Sequence, residues 1–482
     1  MIRAWPGALA RDPGVPIGAY NHLIAPLQEV TVHHQWTRKL SLLTIAALTV
    51  MTTVLVAAAP RVTFTDTKLK NGLRVIVAED HYAPVFSVAV TYNVGSRDER
   101  QGRTGFAHLF EHMMFKGSEQ VGPGEHFTLI FNSGGNMNGT TSQDRTLYFE
   151  TLPANQLDLA LFLEADRMWS LDITKENLDN QRNAVQEERR LSVDNQPYGK
   201  TFEAVDQLAY KNFAYAHSVI GSMADLNAAD VADVRAFFKT YYAPNNAVLT
   251  IVGDVKTADC LDKVRTYFDR IPSQPAPTAV DTTEPAQTAE RRMTIDDPLA
   301  RTARIDISWH TPAGNTPDDD ALTVLGTVLS GGRSSRLYNS LVRDRQLTSG
   351  VFASTSSMRG PSLFQVRGTV LVGKSVSDLE QGIYAEIEKV KTGPIADWEI
   401  DKARNGRKRA YVSGLGSSLQ RAVLLGQYAL FWNDPNLINT RADRLGKVTT
   451  ADVQRVARQY LTAENRSVII TNPQSVHGEG GR

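Results

Sequence analysis

The 482-residue chain has little of two things, cysteine and net charge. Cys260 is its one cysteine, so an intrachain disulfide is excluded. The 52 basic and 52 acidic residues cancel, which leaves no overall charge to attract nucleic acid or an acidic surface. The remaining composition, with 42% hydrophobic residues, is that of a globular protein of about two to four domains. We therefore expect no nucleic-acid partner.

A segment near the N-terminus has the pattern of a secretory signal peptide. Arg38 and Lys39 precede an apolar run from Leu40 to Val56, and small residues follow before Pro60. Cleavage after Ala58 fits this pattern, and an uncleaved membrane anchor is the alternative. The first 30 or so residues fit no targeting pattern, which indicates a start codon assigned too far upstream. We expect an exported protein that associates stably with a membrane only if the segment stays uncleaved.

The chain contains an internal repeat in which every matching pair of positions has the same separation. The matching positions are Asp233 and Asp452, Val234 and Val453, Phe237 and Val456, Tyr241 and Tyr460, Asn246 and Asn465, and Leu249 and Val468. In both copies a helical pattern leads into a short apolar strand, and an alternating strand lies earlier in each half. The repeat predicts two homologous α+β halves. Between them, residues 271–298 are rich in proline and polar residues and predict an exposed linker.

The motif His108-Leu109-Phe110-Glu111-His112 predicts a zinc half-site with its own base. On a helix, residues four apart share a face, so His108 and His112 can bind one ion. Glu111 lies beside them and can accept a proton from water. The alternative is a helix whose histidines face solvent or satisfy core hydrogen bonds. The apolar neighbours argue against it, because a buried helix makes unpaired imidazoles and a carboxylate costly.

A third ligand is expected from the segment Asn183–Arg190. Here the chain resembles the pitrilysin, insulysin and mitochondrial processing peptidase family, the inverzincin zinc metallopeptidases. In that family an H-x-x-E-H motif is followed some 75 residues later by a ligating Glu. Glu188 follows His112 at this distance and fills the position, and Glu187 is the alternative ligand. The resemblance implies one Zn²⁺ per chain.

The resemblance covers residues 62–472 and implies an α+β fold. Each half is expected to be a mixed β-sheet with packed helices, and the halves are expected to face each other across a substrate cavity. The expected segments are an upstream extension and signal peptide (1–59), a zinc-bearing domain (60–270), the linker (271–298), a homologous domain without metal (299–472) and a tail (473–482). Bacterial members of the family suggest that the exported protein is periplasmic.

Two glycines begin a segment that resembles the family's substrate-binding edge strand. The segment runs from Gly134 to Thr141, and a second strand pattern follows from Thr146 to Glu150. An exposed edge offers unpaired N–H and C=O groups to an extended peptide. Asn138 is the side chain expected to contact the peptide there. Its alternative role is to fit the geometry of a turn.

The chain departs from the family pattern at two places. Gln181 replaces a Glu that relatives carry seven residues before the ligand, which removes a negative charge that would support the metal site. Arg343 lies where an oxyanion-stabilising and substrate-binding Arg is expected, but Ser349 replaces the accompanying Tyr. The chain thus resembles the metal-bearing subunit of a two-subunit peptidase. A zinc-less paralogous partner is one interpretation, and a homodimer in which Tyr338 or another donor fills the role is the other.

The leading hypothesis from the sequence is a zinc endopeptidase that cleaves peptides or unfolded segments. His108, His112 and Glu188 hold the metal, and Glu111 is the general base. The alternative is a non-catalytic binding or assembly subunit of the same family. The intact metal set argues against that alternative, because such subunits usually lose it. No pattern in the sequence indicates a cleavage specificity.

Overall fold

The computed structural model describes residues 61–474. The predicted signal segment, its cleavage site and the last eight residues lie outside the described residues. The strands are β1 (Thr65–Lys68), β2 (Arg74–Glu79), β3 (Val85–Tyr92), β4 (Asn136–Thr141), β5 (Thr146–Pro153), β6 (Ala247–Gly253), β7 (Arg291–Asp297), β8 (Arg304–Thr311), β9 (Thr348–Thr355), β10 (Ser362–Val370) and β11 (Arg466–Pro473).

Helices connect and cover these strands. They are α1 (Phe106–Met113), α2 (Glu125–Asn132), α3 (Leu157–Ser170), α4 (Lys175–Arg189), α5 (Gly199–Ala209), α6 (Met223–Ala228), α7 (Val231–Tyr241), α8 (Thr257–Phe268), α9 (Pro317–Ser330), α10 (Val376–Thr392), α11 (Asp397–Gly414), α12 (Ser418–Trp432), α13 (Leu437–Lys447) and α14 (Thr450–Tyr460). Within residues 61–474, no helix combines the length and the apolar character that crossing a membrane requires.

The strands form two mixed sheets. The N-terminal sheet has the order β1-β2-β6-β3-β5-β4, and the C-terminal sheet has the order β7-β11-β8-β10-β9. Each contains one parallel pair, β2 with β6 and β7 with β11, while the other neighbours are antiparallel. The predicted α+β class with two mixed sheets is confirmed.

The repeat in the sequence is also a repeat in the structure. Strand β3 begins at Val85 and β8 at Arg304, and the offset between these two positions also relates β6 to β11 and α7 to α14. The strand order β2-β6-β3-β5-β4 in the N-terminal sheet corresponds, strand by strand, to the order β7-β11-β8-β10-β9 in the C-terminal sheet. The two halves are therefore built on one plan, as the sequence predicts.

Both faces of the N-terminal sheet are buried. Val88 and Val90 of β3 pack in the core that contains the apolar residues of α1, whereas Ala89 between them packs with α12. Successive side chains of a strand point to opposite faces, so this division follows from the pleat. Strand β6 is buried along its whole length, which explains its continuous apolar sequence.

The two halves exchange equivalent helices. Helix α5 of the first half packs on β7, β8 and β11 of the C-terminal sheet, and its counterpart in the repeat, α12, packs on β3, β5 and β6 of the N-terminal sheet. Thr250 of β6 donates a 2.9 Å hydrogen bond to the carbonyl oxygen of Ala422 on α12. Gly426 of α12 lets the backbones approach, because a Cβ there would lie 2.7 Å from Thr91 Oγ1. Each half thus completes the other's core.

The linker differs from its predicted bounds. Residues 272–290 form no helix or strand, but Arg291–Asp297 form β7, which pairs in parallel with β11. Strand β7 is the outer strand of its sheet, and its residues alternate between partly buried and exposed. An outer strand tolerates the charged sequence RRMTIDD, which is why this segment resembles a linker in sequence.

Candidate metal centre

Helix α1 is held so that its apolar side faces the core. It begins after Gly105, whose φ of 86° is left-handed, and the Glu99 carboxylate accepts 2.8 Å hydrogen bonds from the backbone N–H groups of Gly105 and Ala107. These bonds satisfy donors that have no partner inside the helix. Phe110 and Met113 are fully buried. The motif's three polar side chains are consequently presented on one side of a fixed helix.

Glu188 near the end of α4 meets both histidines of α1. Its Oε2 atom lies 3.6 Å from Nε2 of His108 and 3.3 Å from Nε2 of His112. Ligand atoms about 2.1 Å from a tetrahedral zinc ion are about 3.4 Å apart. Two imidazole nitrogens and one carboxylate oxygen at this spacing fit zinc and leave a fourth position free. The three predicted ligands are therefore brought together by the fold.

Glu187, the alternative ligand, points elsewhere. Its carboxylate pairs with Arg190 at 2.9 Å, and 58% of its side chain is exposed. Neighbouring helical residues differ in direction by about a quarter turn, so only one of the two carboxylates can face the histidines. The geometry selects Glu188.

The surroundings favour the protonation states that bind a metal. Burial and the adjacent His112 lower the pKa of His108 to about 4, so its imidazole is neutral at pH 7. A hydrogen bond with His112 holds the pKa of Glu188 below its ordinary value, so this carboxylate is ionised. Metal binding requires a neutral imidazole and an ionised carboxylate.

Gln181 does not support the ligands by a hydrogen bond. It is buried, and its side-chain amide donates to Oδ1 of Asn180. Nδ1 of His108 is buried and has no hydrogen-bond partner among residues 61–474. A metal-binding histidine commonly donates its second ring N–H to a carboxylate or carbonyl, and no such acceptor meets His108 in this part of the chain.

Glu111 lies beside the ligands, where its side chain contacts Thr141 and Gly139 of β4. Thr141 at the end of β4 donates a 2.6 Å hydrogen bond from Oγ1 to Oε2 of Glu111. Gly139 of the same strand lies against this side chain, since a Cβ there would be 2.8 Å from Cγ of Glu111. Burial raises the pKa of Glu111, and the hydrogen bond from Thr141 opposes this shift. A carboxylate with a raised pKa is suited to accept a proton at neutral pH.

A cavity of about 310 Å³ opens beside these groups. Its walls come from α1, β4, the end of α4 and the loop before α6, and the lining residues are His108, Glu111, Gly139, Thr140, Thr141, Glu188, Val219 and Ile220. Strand β4 is the last strand of its sheet, which agrees with the predicted edge strand. Asn138 is exposed on this strand, and its Oδ1 accepts from the N–H of Gly139. Its contact with a peptide stays a prediction.

Arg343 lies in a helical turn, Tyr338–Asp344, of the second half. Its guanidinium is exposed and pairs with Asp344 at 2.8 Å. It does not line the cavity beside Glu111, so the fold does not bring it to the metal residues, and its substrate-binding role stays a prediction.

The sequence did not single out Thr141, Val219 or Ile220. Thr141 belongs to the segment that resembles the family's edge strand, so the sequence could have indicated a polar residue close to the proposed base. Nothing in the sequence indicates that Val219 and Ile220 line the cavity. Apolar residues in a loop are common, and only the fold brings this loop to the cavity.

Two protein-family models match consecutive parts of the chain. A family model described as insulinase (peptidase family M16) matches residues 74–222, and one described as the peptidase M16 inactive domain matches residues 228–407. A protein named zinc protease PqqE from Helicobacter pylori is 30% identical over 409 residues, which cover 84% of this chain and 92% of that protein. A probable mitochondrial-processing peptidase subunit beta from Arabidopsis thaliana is 25% identical, with 84% and 78% covered.

Two solved structures have the same fold as this chain. The crystal structure of a protease from Helicobacter pylori superimposes with a TM-score of 0.82 and 29% identity, and the match covers 86% of this chain and all of that one. A structure from Pseudomonas fluorescens, described as a peptidase M16 inactive domain, has a TM-score of 0.77 at 19% identity, covering 86% of this chain and 98% of that one. The second likeness is one of fold.

Proposed function

Because this chain belongs to the insulinase family of M16 peptidases, we propose that it is a zinc-dependent endopeptidase that hydrolyses peptides or unfolded protein segments. The meeting of His108, His112 and Glu188 at zinc-ligand spacing carries this proposal. The family name alone would not carry it, because one matched model describes an inactive domain. That model matches residues 228–407, which contain none of the three ligands, whereas all three lie within residues 74–222, which the insulinase model matches.

In the proposed hydrolysis, the metal ligands and the general base have separate roles. His108, His112 and Glu188 would hold one zinc ion, which polarises a scissile carbonyl and makes water a stronger nucleophile at neutral pH. Glu111 accepts the proton of the attacking water and delivers it to the leaving amine. Thr141 fixes one oxygen of Glu111 by its hydrogen bond, which leaves Oε1 to meet water.

Strand β4 supplies a means of holding the substrate. It is an edge strand and borders the cavity that contains Glu111. An extended peptide that pairs with an edge strand is held through its backbone. This mode of binding suits a peptidase that accepts many sequences and excludes compactly folded substrates.

Metal analysis and digestion of a peptide library test the proposal together. Purified protein is expected to contain one zinc per chain and to cleave internal peptide bonds, to lose cleavage on treatment with a chelator, and to regain it with added zinc. Protein that binds zinc at this ratio but cleaves nothing, alone or mixed with a co-purifying paralogue, would show a binding subunit instead.

Export and assembly complete the proposal. The segment from Arg38 to Pro60 supports export, with the periplasm as the destination and cleavage after Ala58. A relative is named a mitochondrial-processing peptidase subunit, which supports assembly with a second chain, either a zinc-less paralogue or another copy. Mass spectrometry of the mature N-terminus and the mass of the native complex test these two points.

A further inference from the structure

The second half contains a cavity at the position that corresponds to the metal centre. At the spacing of the internal repeat, the ligand positions have the counterparts Thr327 for His108, Gly331 for His112 and Arg407 for Glu188. Helices α9 and α11 carry Thr327 and Arg407. The metal-binding side chains have thus been replaced by a hydroxyl, a glycine and a guanidinium, and the charge of the carboxylate position has changed sign.

The correspondence holds in space as well as in sequence. Nε of Arg407 donates a 2.8 Å hydrogen bond to Oγ1 of Thr327, and in the first half Glu188 meets His108 across the equivalent helices. The two helices of each half therefore approach at the same point. What differs is the chemistry that they present.

Hydroxyl groups surround Arg407 in a cavity of about 310 Å³. The lining residues are Thr323, Ser354, Thr355, Ser357, Arg407, Ala410, Tyr411, Arg441 and Leu445. Strand β10 of the second half is the counterpart of β5 of the first. When these two strands are aligned at their first residues, Thr355 takes the position of Gly139, and Ser357 takes the position of Thr141. A hydroxyl therefore replaces the glycine that makes room for Glu111. Oγ1 of Thr355 is buried without a hydrogen-bond partner among residues 61–474.

Arg407 is the cation of this cavity that lacks a carboxylate partner. Arg441 pairs with Asp319 at 3.1 Å, whereas no carboxylate in the described part of the chain lies within ion-pair distance of Arg407. Partial burial lowers the pKa of Arg407, and no neighbouring acid compensates. Its terminal N–H groups find no acceptor among the residues described, and a guanidinium remains charged in a protein.

We propose that this cavity binds an oxyanion, with the guanidinium fork of Arg407 and the hydroxyl of Thr355 as donors. Guanidinium binds carboxylate and phosphate groups through two parallel hydrogen bonds. The ligand is either free phosphate or the C-terminal carboxylate of a peptide. The site is independent of zinc and of peptide hydrolysis, since it uses none of the metal residues.

Binding titrations of the full zinc-loaded chain test the site with two probes. One probe is inorganic phosphate, and the other is acetyl-Ala-Ala with a free carboxylate, compared with its C-terminal amide. Arg407→Gln is expected to weaken binding of at least one of these anions by about tenfold or more. The matched control is Arg409→Gln, because Arg409 is exposed on the same helix and carries the same charge. Binding by the metal centre would be equal in both variants.

The outcomes separate the sources of the anion. Loss of phosphate binding alone in Arg407→Gln assigns a phosphate site, and loss of carboxylate binding with no binding of the amide assigns a peptide terminus. Equal affinities of the Arg407→Gln and Arg409→Gln variants for both anions, or no binding by the unmodified chain, would overturn the proposal.

Two milder variants keep the test decisive if Arg407→Gln does not fold, as circular dichroism would show. Arg407→Lys keeps the charge but loses the fork and is expected to bind the anion several-fold more weakly, roughly three- to tenfold. Thr355→Val removes one donor without changing the charge and is expected to weaken binding by about three- to tenfold. Unchanged affinity in both variants would equally overturn the proposal.

Discussion

Oγ1 of Thr141 donates a 2.6 Å hydrogen bond to Oε2 of Glu111, and this bond ties the proposed base to the edge strand. Thr141→Val removes the donor and keeps the shape. We expect kcat to fall by roughly tenfold with zinc content unchanged, because a hydrogen bond to a charged group is worth about 1.5–3 kcal/mol. Peptide cleavage rates and metal analysis measure both. Thr141→Ser keeps the hydroxyl and should retain most of the activity, and a Thr141→Val enzyme as active as the unmodified one would contradict the positioning role.

Glu111→Gln should separate metal binding from chemistry. The amide cannot accept a proton from water, and general base catalysis contributes about 10²–10⁴-fold. We expect the variant to contain as much zinc as the unmodified chain and to lose cleavage by at least that factor. Parallel measurement of zinc content and cleavage rate decides the point, and near-normal turnover would refute the assignment of Glu111.

The adjacent pair Glu187 and Glu188 provides an internal control for the metal site. Glu188→Gln removes a ligand and should lower zinc affinity by more than about 100-fold, which exceeds the usual effect of losing a residue that only supports a ligand. Glu187→Gln changes the net charge equally, but Glu187 pairs with Arg190, so zinc affinity should stay within a few-fold. Competition with a chromogenic chelator measures both. A larger loss in Glu187→Gln would reverse the ligand assignment.

The exchanged helix α12 predicts that the two halves unfold together. Leu425 of α12 is fully buried against the N-terminal sheet, and Leu→Ala at such a position typically costs about 2–5 kcal/mol. We expect Leu425→Ala to lower the temperature of one transition that includes both halves. Differential scanning calorimetry tests this, with Leu299→Ala as control because 43% of Leu299 is exposed. Two separate transitions, only one of them shifted, would contradict the coupling.

Asp206 should make stability depend on pH. It lies on α5, and burial raises its pKa from 3.8 to about 7 in the folded state. Well below pH 3.8 the acid is protonated in both the folded and the unfolded state and has no effect on stability. As the pH rises from 4 to 7 the unfolded chain ionises first, so Asp206 progressively disfavours folding.

Asp206→Asn should therefore raise the unfolding temperature at pH 8 and leave it nearly unchanged at about pH 3, below the unfolded pKa. Thermal unfolding monitored at several pH values measures the difference. Asp262→Asn, at an aspartate with 77% of its side chain exposed, is the control and should show no such trend. An equal effect of Asp206→Asn at both ends of the range would count against a raised pKa.

The parts of the fold that could be predicted are those encoded by local spacing. His108 and His112 follow from their separation on one helix. The central strands β3, β6, β8 and β11 follow from alternation, apolar runs and the internal repeat. Glu188 needed the family resemblance as well, because nothing local indicates which distant acid meets a histidine pair.

The parts that could not be predicted depend on contacts between distant segments. An apolar face shows that α12 is buried, but not that it packs on the sheet of the other half. Strand β7 could not be recognised from its sequence, because its residues are mostly charged. It pairs with β11 through backbone groups, which any side chain permits. The bond from Thr141 to Glu111 joins a strand to a helix, and such a pair leaves no periodic signal in the sequence.

The exchange of α5 and α12 restricts how a substrate can reach Glu111. A hinge in the segment between the halves would have to strip each helix from the sheet that it covers and expose buried side chains such as Leu425. Opening in that manner would amount to partial unfolding. A peptide would therefore reach Glu111, the proposed base, through the cavity that opens beside the edge strand β4, without separation of the two halves.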